Sequence, residues 1–142
     1  MLHILSIAAG WVAIPPAQIP NLGPSVLVDI RQPSEFRLDG HIPGSVCVAA
    51  YTWEHGFHLP RGEAFIGDLA EAVELADLGT SKVVLLCADG RLSAGAARQL
   101  EEFGFCDVAV CDGGLNAYAA DEALPALVID EDGEDGLVGA WV

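Results

Sequence analysis

Lys82-Val83-Val84-Leu85-Leu86-Cys87-Ala88-Asp89-Gly90-Arg91-Leu92-Ser93 is the run that decides the fold. Its first half is short, apolar and rich in branched residues, the composition of a strand covered on both faces. Leu92, Ala96, Leu100 and Phe103 then recur at helical spacing, so a helix follows the strand after a turn that Gly90 permits without steric cost. A buried strand running straight into a helix is the repeating unit of a parallel sheet.

The same alternation extends outward. Val26 to Ile30 is a second buried strand, Ser45 to Val48 and Asp107 to Val110 are weaker ones, and another is expected within residues 3–14. Phe65, Leu69, Val73 and Ala76 mark a further helix. Pro33 opens a short helix to about Leu38, Gly104 stops the helix of residues 92–103, and Gly113-Gly114 start a last one to about Ala120. The expected fold class is α/β: one domain over residues 1–128 with a central, mostly parallel five-stranded sheet and helices on both faces. An acidic, solvated tail is expected over residues 129–142.

A chain of 142 residues, 52% hydrophobic and 19% charged, is sized for a single core and needs no disulfide or metal staple. Its apolar runs fall short of a membrane span. The net charge of −15 argues against nucleic acid or an anionic membrane as partner. That charge is uneven: residues 82–98 carry Lys82, Arg91 and Arg98 against Asp89 alone. Met1 to Gly10 are apolar but have no basic residue ahead of them, which argues against a secretory signal. Four cysteines without C-x2-C pairing point to free thiols and a cytoplasmic location.

Cys87 stands where a strand ends and a helix begins, the edge at which open parallel sheets place their ligands. Loop amides, the helix N-terminus and Arg91 all favour negative charge on its sulfur, and Ser93 is positioned to cap the helix. Amides pointing into such a loop also cradle an incoming anion. The other thiols read differently. Cys47 is a small hydrophobe in an apolar strand. Cys106 and Cys111 bracket a strand, roughly 16 Å apart. Cys111 ends that strand on the edge where Cys87 lies, so it is a candidate sulfur acceptor or disulfide partner for Cys87. His55 and His58 make an H-x2-H without a second ligand pair, too little for a metal site. Residues 53–60 read as a loop whose Trp53, Phe57 and Pro60 pack on the domain. Trp11 and Trp141 read as packing residues.

Four blocks together resemble the rhodanese domain: Leu27-Val28-Asp29-Ile30-Arg31-Gln32-Pro33-Ser34-Glu35-Phe36, Gly40-His41-Ile42-Pro43-Gly44-Ser45, Val83 to Ser93, and Asp112-Gly113-Gly114-Leu115-Asn116-Ala117-Tyr118. The resemblance spans about residues 11–120. It implies a sulfurtransferase with Cys87 as catalytic nucleophile, carrying a persulfide between a sulfur donor, small molecule or protein, and a thiol or cyanide acceptor. It implies no metal and no organic cofactor. Ala88, Asp89, Gly90, Arg91, Leu92 and Ser93 form the substrate-binding loop, where the amides of residues 88–92 hold the persulfide and Arg91 attracts the donor's charged end. Asp29, Arg31, Glu35 and His41 brace the cleft. The related phosphatases need an arginine six residues after the cysteine, and position 93 here is Ser, which disfavours phosphoryl transfer. Ala88 and Asp89 depart from the family's usual basic or hydroxyl residue after the cysteine. An acid there opposes anionic donors and favours a persulfide donor over free thiosulfate. The alternative reading is a non-catalytic module that binds a partner or senses sulfane sulfur or oxidants through Cys87.

Overall fold

The computed structural model describes residues 10–73 and 82–130. Its centre is Lys82–Leu86 (β6), with Val83, Val84, Leu85 and Leu86 at most 1% exposed. Both faces of this strand are covered, as its unbroken apolar run requires. Trp11–Ile14 (β1), Ser25–Asp29 (β2), Val46–Cys47 (β3) and Val108–Cys111 (β7) complete a five-stranded sheet. Every pairing is parallel, in the order β1-β7-β6-β2-β3.

Alternation along β6 divides the core into two layers. Val83 and Leu85 pack with Val28, Val108 and Val110 against Phe65 and Leu69 of Glu63–Ala72 (α2) and Ala96, Ala97 and Leu100 of Arg91–Glu102 (α3). Val84 and Leu86 face the other way with Ala109 and Cys111, toward Leu115 and Tyr118 of Gly114–Ala120 (α4) and Ile19 of a 3-10 helix at Pro16–Asn21. Helices therefore cover both faces. Trp11 packs, half-buried, against the first layer. The helix α2 ends at Ala72, where Val73 turns to extended backbone, earlier than its periodicity suggested; Ala76 and Trp141 lie outside the described residues.

Pro33–Leu38 (α1) starts as expected, with Pro33 in its first turn and a capping box between Gln32 and Glu35. Around it the second layer of polar order forms. Asp29 is fully buried and takes both Nε (2.9 Å) and Nη2 (2.8 Å) of Arg31, whose Nη2 also reaches Gly40 O at 2.7 Å. His41 stacks on Phe36 and its Nδ1 lies 2.8 Å from Phe36 O. These contacts hold α1 and the turn after it to the end of β2. A bridge between His41 and Val128, with Asp130 N–H donating to Arg37 O, ties the chain down as far as Asp130.

Residues 51–60 differ from the sequence reading. Instead of a loop they form an antiparallel hairpin, Tyr51–Glu54 (β4) and Phe57–Pro60 (β5). His55 (φ 52°) and Gly56 (φ 84°) make the two-residue, left-handed turn that suits the twist of paired strands. Trp53 (61% exposed) and Phe57 (68%) face solvent rather than packing on the domain. Tyr51 at the start of β4 enters the first core layer, and the rest of both strands is exposed, so pairing replaces burial as what holds the tip.

Breaking one side of a buried ion pair leaves an uncompensated charge and costs about 3–5 kcal/mol. Asp29→Asn, measured by chemical denaturation, is expected to lose stability in that range; a loss below about 1 kcal/mol, typical of an exposed pair, would contradict this account.

Candidate active site

The cysteine sequence analysis singled out lies immediately past the end of β6, 2% exposed, at the start of a tight loop into α3. Gly90 is the N-cap of α3 with a left-handed backbone (φ 91°), and its N–H donates to Cys87 Sγ at 3.1 Å. That φ is one glycine adopts freely and other residues rarely do. The amide is thus turned onto the sulfur at a positive helix end.

A second helix fixes the loop from behind. Leu115 N–H donates to Cys87 O at 2.8 Å and Asn116 N–H to Ala88 O at 2.9 Å, so α4 spends its first free amides on the loop. Such close contact excludes side chains. A Cβ on Gly114 would sit 2.5 Å from Cys87 O and 2.7 Å from Ala88 O, and one on Gly90 would sit 3.2 Å from Gly113 N. Gly113 and Gly114 start the helix as their sequence implies, and the close approach at Gly114 is a role that helix-start signals do not reveal. The signal for it is the pairing itself, two glycines where one suffices to begin a helix.

Two expectations for the loop are corrected. Ser93 does not cap α3: it lies inside the first turn, its Oγ buried and without a hydrogen-bond partner, because Gly90 occupies the cap. Arg91 is not turned on the sulfur. Its side chain is 87% exposed and its Nε binds Asp89 Oδ2 at 2.8 Å, while its N–H donates to Asp89 Oδ1 at 3.0 Å. Asp89 therefore occupies both an amide and a guanidinium that the resemblance assigned to the ligand. The Arg91 N–H first, and then its guanidinium, hold the Asp89 carboxyl below its usual range. Leu92 enters α3, and its carbonyl accepts a hydrogen bond from the Tyr51 hydroxyl at 3.2 Å.

Tyr51 shows how the hairpin joins the site. Its hydroxyl rests where Gly95 has no side chain. Gln99 of α3 donates to Ala50 O and accepts from Gly62 N–H, holding both ends of the hairpin to the helix that follows Cys87. A cleft of about 800 Å³ opens beside these residues, floored by Phe36, Val46, Cys47 and Tyr51; none of its walls comes from the 87–93 loop.

The remaining thiols sit in other surroundings. Cys111 is fully buried in the core layer on the other side of the sheet from the one that holds Cys87. Burial pushes its thiol up to about 11, and that of Cys47 up to about 12. Cys106 is exposed. His58 packs edge-on against Trp53 and Tyr51, and His55 sits in the turn. Among the described residues no helix is long and apolar enough to cross a membrane.

Residues 17–121 match the Rhodanese-like domain family. The chain is 32% identical over 100 residues to the thiosulfate sulfurtransferase GlpE of Pseudoalteromonas translucida (strain TAC 125), covering 67% of this chain and 73% of the relative. It is 35% identical over 107 residues to GlpE of Pseudomonas syringae pv. syringae (strain B728a), covering 74% and 84%. Among solved structures, Rv0390 from M. tuberculosis is 27% identical with a TM-score of 0.55, covering 72% of this chain and 78% of that one. A rhodanese-related protein from Thermoplasma volcanium, at 23% identity and TM-score 0.57 over 82% and 97%, shares the fold.

Two expectations follow from this geometry. Gly114→Ala forces its methyl group onto the loop carbonyls and should cut any Cys87-dependent turnover at least about tenfold while circular dichroism stays near wild type; full activity would mean the close packing is dispensable. Alkaline stability tests the buried thiols. Below the ordinary thiol value of 9.0 they are neutral in both states; above it the unfolded thiols lose protons first, so stability must fall as pH rises from about 9 toward 11. Cys47→Ala with Cys111→Ala should flatten that fall, and an unchanged slope would contradict it.

Proposed function

The chain belongs to the rhodanese-like domain family, and on that premise we propose that it moves a sulfane sulfur from a donor to a thiol or cyanide acceptor through a persulfide on Cys87. The observation that carries this reading is the Gly90 N–H held 3.1 Å from Cys87 Sγ, in a loop closed by backbone rather than side chains. Such a loop presents fixed backbone dipoles to the charge of a persulfide.

In the first half-reaction the Cys87 thiolate attacks the outer sulfur of thiosulfate or of a persulfide donor. A new S–S bond forms, the donor's S–S bond breaks, and sulfite or the donor thiolate leaves with the electron pair. In the second, a thiolate or cyanide attacks the outer sulfur, giving a persulfide or thiocyanate and returning the Cys87 thiolate. No net oxidation occurs and no cofactor is called for. A reducing compartment such as the cytoplasm suits this chemistry, because the four cysteines are unbridged and Cys87 has to stay out of disulfides.

The loop's own acid sets the donor. With Asp89 holding both Arg91 groups, the cradle offers less to a free dianion than its sequence suggested, so a protein or low-molecular-weight persulfide is the better donor. Loading with thiosulfate should add one sulfur to wild type, visible by mass spectrometry, and none to Cys87→Ser. Asp89→Ala releases Arg91 and should raise kcat/KM for thiosulfate about three- to tenfold, a change of about 1 kcal/mol. Wild-type thiosulfate turnover should also rise with ionic strength as repulsion from the −15 chain is screened. A folded protein that gains no sulfur from any sulfane donor would instead be a binding or sensing module.

A further inference from the structure

The exposed hairpin and the cleft beside it are unused by sulfur transfer to small acceptors. Trp53 (61% exposed) stands on one face of the hairpin, and Phe57 (68%) and Leu59 (42%) on the other, so the hairpin offers apolar surface on both sides. Trp53 lies on the same strand face as Tyr51, with His58 packed between them at ring distances of 4.6 and 6.0 Å. A row of rings thus runs from the solvent to the residue whose hydroxyl meets Leu92 O. Exposed aromatic residues on a rigid element are the usual anchors of protein interfaces.

Charge around the hairpin specifies what fits it. Residues 51–73 contain Glu54, Glu63, Asp68 and Glu71 against Arg61 alone, and Arg61 is paired to Asp68. The cleft continues from the hairpin through Tyr51 and Thr52, with an apolar floor at Phe36 and Val46 and with the Arg61–Asp68 pair and Glu71 on its wall. An apolar trough with Glu71 beside it and a net negative wall takes a side chain that has an aliphatic stem and a cationic head. A second copy of this chain would bring another −15 to the same face, and an anionic membrane would be repelled as well.

We infer that the β4–β5 hairpin and its adjoining cleft dock a partner protein through a segment combining apolar residues with Lys or Arg. The hairpin follows the carboxyl end of β3, and Tyr51 and Gln99 fix its position relative to α3, the helix that follows Cys87. Docking there brings the partner's sulfur-bearing group to the Cys87 loop without relying on the weak attraction of the loop itself. In that role the inference rests on the sulfurtransferase reading; the docking itself does not.

The test selects dodecapeptides from a random phage-displayed library on the intact chain, synthesises the consensus, and measures its affinity by fluorescence polarisation. The expected consensus pairs a basic residue with bulky apolar ones, and its binding weakens as salt rises. Trp53→Ser/Phe57→Ser, which alters exposed side chains alone, should weaken binding about tenfold, and Glu71→Lys about threefold, with circular dichroism unchanged. Thiosulfate-to-cyanide turnover should be the same in wild type and double variant. No enriched peptide, an acidic or charge-free consensus, or affinity indifferent to Trp53 and Phe57 would overturn the inference. So would a dimer in sedimentation that the double variant dissolves, since the face would then serve self-association. If wild type takes up no sulfur while the peptide binds through Trp53, the sulfurtransferase reading falls and the docking surface stands.

Discussion

Two backbone hydrogen bonds, from the Leu115 and Asn116 amides to the carbonyls of Cys87 and Ala88, place the loop, and much of the surrounding structure exists to let them form. They require α4 to approach the end of β6 at backbone distance. Gly90 and Gly114 supply that approach by having no Cβ in the contact. The two partners are carried by adjacent elements, since β6 and β7 are paired in the sheet and α4 follows β7 directly. A loop held this way is fixed at Cys87 and Ala88 by backbone from outside it, and the Asp89 carboxylate closes its far side onto Arg91.

Electrostatics are arranged at two levels. Deep in the fold, Asp29 and Arg31 satisfy one another with two side-chain hydrogen bonds, and the second N–H of Arg31 Nη2 goes to Gly40 O, so much of the cost of burying the charges is returned. At the surface, Asp89 neutralises Arg91. The sulfur is left with the Gly90 amide and the helix end, a milder environment than a free arginine would create. The wider field of −15 then acts against small anions and in favour of basic partners, the same preference that the acids beside the hairpin express locally.

How much was legible follows from where each signal lies. The core strand at 82–86 and the helix behind it were readable because their apolar period is local and strong. The short helix at Pro33 and the stop at Gly104 were readable from single residues with one conformational use. The hairpin was missed although Tyr51, Trp53 and the His55-Gly56 turn carried strand and turn signals; its strands are short, and their exposed rings imitate a packed loop. The cap at Ser93 was misread because a hydroxyl near a helix start is usually its cap, whereas here the left-handed Gly90 took that place. Arg91's diversion was invisible, since two residues apart in sequence says nothing about which oxygen a guanidinium will choose.

The sequence by itself determined the alternating strands and helices, the single core, the position of Cys87 at a strand end and the family to which the chain belongs. All of these rest on local periodicity or on contiguous blocks of residues. Only the tertiary structure decided which amides reach the sulfur, that α4 holds the loop from behind, that Cys111 faces the opposite layer from Cys87, and that Trp53 and Phe57 remain in solvent. Those depend on which elements the folded chain brings side by side, a matter of sheet order and of space left by missing side chains.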